Sequence, residues 1–246
     1  MSSIATYAPR ADLLSDRIVF VTGVADTIGR AVARACAAHG ATVVLSDRDQ
    51  SALEPVYDEI EAAGHPQPAI MALDLERVTA AELVGVAETL GRELGRLDGL
   101  VHCAAYAPYL SRIDDYDPQD WDLVLRVNLT APFLLTQACL PLLLAADAPA
   151  VVFTGDRVGR EGRAYWGAYA AAKFGLEGLM QTLADETRDA GRLRVNSLDP
   201  GGVRSGMRLR LYPAENPHAL ADAETIANRY LYLLGPDSRG VTGQAL

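Results

Sequence analysis

From end to end the chain alternates between short apolar runs of strand length and longer segments whose apolar residues recur at helical spacing. That alternation limits its fold more than any other feature. Residues 17–22 (RIVFVT), 41–46 (ATVVLS), 69–73, 97–103 (LDGLVHC), 150–154 (AVVFT) and 193–198 read as strands. They are nearly continuous in apolar residues, as strands covered on both faces are. Residues 28–39, 49–63, 79–94, 121–144 and 164–190 read as the helices between them. In the first helix Ile28, Val32, Ala35 and Cys36 share one face, and Gly40 closes it. Pro132 falls inside 121–144 and predicts a kink or local irregularity there. A polar loop over 199–217, a helix over 221–234 and a short strand over 241–246 complete the chain. Strands that alternate with helices form a parallel sheet with helices on both faces, joined by right-handed crossovers. The expectation is one doubly wound α/β domain over 17–246, behind a polar leader over 1–16. Ligands bind such sheets beyond the carboxyl ends of the strands, so chemistry belongs in the loops that follow them.

Three such places carry informative residues. The first is the loop from Thr22 to Gly29, between the first strand and its helix. Gly23 and Gly29 stand where a backbone must turn tightly and approach a pyrophosphate resting on the helix N-terminus, as in a Rossmann-type βαβ unit. Two glycines also serve an ordinary strand-to-helix turn, so the loop is read together with Asp47, 24 residues after Gly23. That is close to the spacing at which a carboxylate accepts bonds from the adenosine ribose diol. A carboxylate there repels a 2′-phosphate and points to NAD, whereas the adjacent Arg48 would attract that phosphate and admits NADP. Alternatively, Asp47 caps the next helix. The third place is Tyr169 and Lys173, whose i, i+4 spacing puts phenol and ammonium on one helix face. A phenol with a pKa of about 10 is a poor base at neutral pH, and a nearby cation brings that value down. Such a tyrosine passes a proton to or from an alcohol or carbonyl oxygen. The small residues around it (Gly167, Ala168, Gly175, Gly178) also suit close packing on another helix, including one across a dimer.

Charge narrows the partners. The chain carries 22 basic and 32 acidic residues, a net −10. Nucleic-acid binding needs a basic footprint, so no such partner is expected. Cys36, Cys103 and Cys139 match no zinc or CxxC spacing, no metal site is expected, and a reducing cytoplasmic compartment is the simplest reading. The first residues lack a basic region followed by an apolar run, and no uncharged, Pro-free apolar stretch reaches about 18 residues. Neither a signal peptide nor a membrane span is therefore expected.

Taken together, these motifs resemble a short-chain dehydrogenase/reductase, in particular a bacterial oxoacyl-reductase-like subgroup. The resemblance covers roughly 12–246. It rests on TGxxxxIG at 22–29, LDL at 73–75, VNLTAPF at 127–133, YAAAK at 169–173 and RVNSLDPGG at 194–202. It implies that Tyr169 is the general acid/base and that Lys173 binds the nicotinamide ribose and lowers the tyrosine pKa. Asn128 would complete a proton relay. Gly23, Thr27, Ile28, Gly29, Asp47, Arg48, Asp74, Leu75, Cys103 and Ala104 would hold the adenosine and phosphate parts of the cofactor. Pro200, Gly201 and Val203 would border the nicotinamide, with Ser205 nearby. Residues 204–217 would form a substrate lid, and the helices bearing Asn128 and Tyr169 would pair in a homodimer or homotetramer.

The sequence departs from the family pattern in three places. Thr27 replaces the middle glycine of the loop, where it would donate to phosphate or crowd it. Cys103-Ala104-Ala105 replaces the usual Asn-Ala-Gly. Asp156, 13 residues before Tyr169, replaces the catalytic serine. An ionised carboxylate cannot donate a hydrogen bond to a substrate oxygen and would raise the pKa of a nearby tyrosine. A protonated Asp156 could donate. Alternatively, Asp156 pairs with Arg157, Arg160 or Arg163 and points away. The leading expectation is an NAD-preferring oxidoreductase acting on a small secondary alcohol or ketone. The alternative is a binding or scaffold protein that kept the fold and lost turnover. In the lid, Arg204, Arg208 and Arg210 read either as a solvated face or as contacts to an anionic or acyl-type substrate.

Overall fold

The structure, a computed structural model, describes residues 4–189 and 191–246. Six parallel strands form one sheet: β1 (Ile18–Thr22), β2 (Thr42–Asp47), β3 (Ala69–Ala72), β4 (Gly99–His102), β5 (Ala150–Thr154) and β6 (Arg194–Leu198). Their order is β3-β2-β1-β4-β5-β6. The winding reverses beside β1, where Val19 pairs with Val43 of β2 on one side and with Gly99 of β4 on the other. A crevice therefore opens above the carboxyl end of β1.

Alternate residues of each strand feed opposite cores, which is why the runs are apolar throughout. Val19 and Val21 join Val43, Leu45, Val101 and Val152 under α1 (Thr27–Ala38), α2 (Gln50–Ala62) and α8 (Ala223–Leu234). Phe20, Val44, Leu100 and Val151 face the other way. They pack under α3 (Ala80–Leu94), α5 (Ala131–Leu144) and α6 (Gly167–Glu186). Burying one such aliphatic side chain contributes about 1.5–3 kcal/mol. Capping fixes the helix starts: Asp26, Asp49 and Asp117 accept backbone N–H groups at α1, α2 and α4 (Pro118–Leu125), and Thr79 and Glu82 form a reciprocal box at α3.

Several expectations are corrected. The segment read as a polar leader is packed, because Leu13 and Leu14 are buried in the first core and Tyr7 donates to Asp237 (2.7 Å). The helix expected over 121–144 is α4 and α5 joined through a π-helix, Arg126–Thr130. Pro132 has no N–H to give the Asn128 carbonyl, so the α-ladder fails there. Ala131 instead donates to the carbonyl of Arg126, five residues back. The continuous run Pro118–Leu144 is long and apolar enough to cross a bilayer by length and composition, an 18-residue window of it reaching a mean hydropathy of 1.6. It contains Asp120, Asp122 and Arg126, and its residues Ala131, Leu135, Cys139 and Leu143 cover the sheet. α6 starts three residues later than expected and ends at Glu186, while position 190 lies outside the described residues. The loop over 199–217 contains α7 (Gly206–Leu211), capped by Ser205. The expected last strand makes one parallel bridge, Ser197 to Ala245, and hydrogen bonds along β6.

Candidate active site

At the carboxyl end of β1, Gly23 takes a φ of +73°, which only glycine adopts freely. A Cβ on Gly23 would also come within 2.6 Å of the Ala104 nitrogen, and a Cβ on Gly29 would collide with the Gly23 carbonyl. The loop is thus a cradle that side chains would fill. Thr27 does not crowd it, because it is the first residue of α1 and its hydroxyl donates to the Asp26 carboxylate (3.1 Å).

In front of the cradle lies a cavity of about 690 Å³. Its walls come from the glycine loop, from Ser46, Asp47 and Arg48 at the end of β2, from 73–76 after β3, and from 103–106 after β4, together with Val127 and Arg210. Gly23, Asp47, Arg48, Asp74, Leu75, Cys103 and Ala104 were expected there from sequence and line it. Thr27, Ile28, Gly29, Pro200, Gly201 and Val203 do not, nor do Tyr169 and Lys173. Asp26, Ser46, Glu76 and Tyr106 line it without having been anticipated. Ser46 and Glu76 adjoin recognised motif positions and were findable by adjacency. Arg210, read from sequence as a lid residue, reaches the cavity from α7.

Asp47 holds the cradle in place. Its carboxylate accepts the N–H of Ala25 (3.0 Å) and of Arg48 (2.8 Å). The Arg48 guanidinium, largely exposed, reaches Glu76 (3.1 Å), whose N–H is in turn accepted by Asp74 (3.0 Å). A carboxylate and a guanidinium therefore share the wall where an adenosine ribose would rest.

The second half of the site lies beyond β5. Asp156 caps a short 3-10 turn, Arg157–Gly159, by accepting the Val158 N–H (3.0 Å). The turn lies flat on α6 because Gly159 has no side chain: a Cβ there would meet Lys173 at 2.7 Å. This seats Asp156 against α6, with the Tyr169 hydroxyl 3.5 Å from its carboxylate. The alternative of an outward pairing does not hold, since Arg157 binds Glu161 and Arg160 binds Glu177. Lys173, 2% exposed, donates to the Thr154 carbonyl (2.8 Å), and its ammonium lies 5.3 Å from the Tyr169 ring centre.

Asn128 is engaged elsewhere. Its amide donates to the carbonyls of Tyr106 (2.7 Å) and Val124 (2.8 Å), and its oxygen accepts the Tyr106 N–H (3.1 Å). The side chain thereby ties the segment after β4 to the π-helix and shapes the cavity wall.

Electrostatics differ from expectation at Tyr169. Its pKa is raised well above 10, first by burial and then by Asp156. Burial, with the carboxylate second, overrides the lowering expected from Lys173, so the phenol is held as a neutral acid. Burial also raises the pKa of Asp156 above the usual carboxylate value, opposed by the Val158 N–H and by Lys173. Burial lowers Lys173 to about 8.

Over Tyr169 lies the segment expected to be a lid. Leu211 and Met207 of α7 pack into a cluster with Trp166 and Tyr169, and the Trp166 ring lies 5.4 Å from Tyr169 and 6.0 Å from Tyr212. Of the lid arginines, Arg204 pairs with Asp222 and Arg208 is held by both oxygens of Glu215. Arg210 faces the cavity.

Comparison with known proteins agrees with this geometry. Residues 17–216 match the short chain dehydrogenase family. The Escherichia coli K12 oxidoreductase YciK is 46% identical over 237 residues, covering 96% of this chain and 93% of its own. A solved short chain dehydrogenase from Salmonella enterica serovar Typhi is 46% identical with a TM-score of 0.95, covering 98% of each chain. A structure from Escherichia coli CFT073 in complex with NADPH is 46% identical with a TM-score of 0.93, covering 97% of this chain and 98% of that one.

Proposed function

The chain belongs to the short chain dehydrogenase family, and on that footing we propose that it is an NAD(P)-dependent oxidoreductase acting on a small secondary alcohol or ketone. One observation carries the reading: Tyr169, Lys173 and Asp156 gather at the end of β5, beside a cavity fronted by a glycine cradle. The cavity falls in the range of ligand sites, about 300–1,000 Å³. The cradle accepts phosphates at the N-terminus of α1 through Gly23, Thr27, Ile28 and Gly29. Asp47 and Arg48 would hold the adenosine ribose, Asp74 and Leu75 the adenine, and Cys103 and Ala104 the floor. Lys173, Pro200, Gly201 and Val203 would surround the nicotinamide end. When bound, the nicotinamide supplies or accepts the hydride.

The chain's own residues handle the proton. Tyr169, held neutral, gives its proton to the substrate oxygen during reduction and takes it back during oxidation. Lys173 places a positive charge beside the phenol and stabilises the phenolate left behind. Asp156 in its protonated form donates a second hydrogen bond to the substrate oxygen. Asp47 favours the unphosphorylated ribose of NAD, while Arg48 admits the phosphate of NADP, the cofactor form found with a close structural relative. Nothing observed favours a scaffold that lost turnover, since Thr27 and the 103–105 segment leave the cavity open.

A homodimer through α5 and α6 is part of the proposal. Phe133 and Phe174, 41% and 46% exposed, stand on those helices. The compartment proposed is the cytoplasm, in keeping with three unpaired cysteines. The test is to titrate NADH and NADPH into the protein by fluorescence, then follow nicotinamide absorbance with a panel of secondary alcohols and ketones. Binding of a nicotinamide cofactor and turnover lost in Tyr169→Phe are expected. Absence of cofactor binding, or turnover indifferent to Tyr169→Phe, overturns the reading.

A further inference from the structure

Five carboxylates, Asp26, Asp47, Asp49, Asp74 and Glu76, line the cavity in front of the cradle, with two guanidiniums, Arg48 and Arg210. The carboxylates are engaged within the protein. Asp26 and Asp49 cap α1 and α2, Asp47 accepts the N–H groups of Ala25 and Arg48, and Asp74 accepts that of Glu76. Glu76 in turn holds Arg48 at 3.1 Å. Arg210 differs: among the described residues its guanidinium has neither an ion pair nor a hydrogen bond. The other two lid arginines are tied down, Arg204 by Asp222 and Arg208 by Glu215. The lid therefore brings one uncommitted cation to an acid-lined cavity. Its approach decides which part of a ligand it meets. Leu211, the next residue, is buried in one cluster with Ala107, and Tyr106 packs against the same cluster. Arg210 thus enters over the segment that follows β4, whereas Arg48 stands past β2, on the other side of β1. A 2′-phosphate on a ribose at Asp47 and Arg48 lies on the β2 side. A pyrophosphate crosses the switch point between β1 and β4, at the Gly23 loop.

We propose that Arg210 is a ligand of the cofactor pyrophosphate carried on the lid, so that a bound dinucleotide fastens α7 over Tyr169 before substrate enters. The inference rests on the nicotinamide-dependent reading above and adds a residue to its binding site. The cradle offers a phosphate backbone N–H groups and the positive end of α1, but no full positive charge. The carboxylates around it repel that phosphate. Arg210 supplies the missing charge, and its planar fork can bind two phosphate oxygens at once. The same contact reaches the reacting end of the site. Met207 and Leu211 of α7 share a cluster with Trp166 and Tyr169. A phosphate that holds Arg210 therefore holds Leu211 against that cluster, one residue further along the helix. The coupling is reciprocal: whatever steadies the lid tightens the grip on the phosphate by the same factor.

The test uses ADP-ribose, which carries the pyrophosphate without the nicotinamide. Calorimetry compares the native protein with Arg210→Gln, Arg210→Lys and Arg92→Gln, the last an exposed cation on α3 outside the cavity that controls for net charge. The Kd is expected to rise about tenfold in Arg210→Gln, the scale of a hydrogen bond to a charged group. Arg210→Lys keeps the charge but loses the fork and should fall between, and Arg92→Gln should match the native protein. NADH and NADPH should weaken by the same factor as each other. A second readout follows the lid itself: saturating ADP-ribose is expected to slow hydrogen exchange over residues 204–217 in the native protein and not in Arg210→Gln. ADP-ribose affinity unchanged in Arg210→Gln, a loss confined to NADPH, or equal protection of the lid in that variant overturns the assignment of Arg210 and leaves the oxidoreductase reading standing. Failure of the native protein to bind ADP-ribose, NADH and NADPH overturns both.

Discussion

Burial raises the pKa of both Asp156 and Tyr169, and the carboxylate raises the phenol further, so the predictions at the scale of single residues follow from that pair. Tyr169→Phe is expected to lower kcat by about a hundredfold to ten-thousandfold, the range for loss of a positioned acid, with cofactor affinity retained. Asp156 has its pKa raised, so its donor form is present below that raised value and disappears as pH rises through it. Ketone reduction should therefore fall with rising pH in the native protein, and this limb should vanish in Asp156→Ser, whose hydroxyl does not titrate. A second change near pH 8, where Lys173 gives up its charge, should move to lower pH in Asp156→Ser, which removes the carboxylate that holds the Lys173 pKa up. At the adenosine end, Asp47→Ser removes the charge that repels a 2′-phosphate and leaves Arg48. The ratio of NADPH to NADH affinity should rise by about tenfold, readable by fluorescence titration.

At the scale of elements, two close fits hold the site together. Asn128, on the π-helix that Pro132 imposes, makes one buried and two partly buried hydrogen bonds that fix the segment after β4. Asn128→Ala leaves those groups unpaired and should cost about 2–4 kcal/mol in urea denaturation. The Kd for cofactor should rise as well, because Tyr106 is part of the cavity wall. Gly159 lets the 3-10 turn lie on α6, where sequence shows only a glycine in a loop.

At the scale of the whole molecule, acid stability depends on a residue central to the sheet. His102 on β4 stacks on Phe153 and meets the Thr136 hydroxyl at 2.9 Å, while its Nδ1 is buried without a partner. Burial lowers its pKa from 6.5 to about 3. The unfolded chain then binds a proton that the folded one refuses across that interval, so stability present above pH 6.5 is lost as pH falls toward 3. The urea midpoint of His102→Gln should fall less steeply over the same interval than that of the native protein.

The sequence by itself determined the layers and the order of the motifs. Runs such as 150–154 have one solution when both faces must be covered, and glycine at position 23 has one backbone reason. Tyr169 and Lys173 were legible because a four-residue spacing on a helix is a local fact. The tertiary structure alone decided what faces them. Whether Asp156 turned inward depended on Gly159 against α6 and on Arg157 and Arg160 finding Glu161 and Glu177 instead. The packing of Leu13 and Leu14, the commitment of Asn128 to Tyr106 and the approach of Arg210 from α7 are likewise contacts between residues far apart in the chain. Local pattern carries periodicity and turn chemistry. The charge at a site is a sum over elements that only folding brings together.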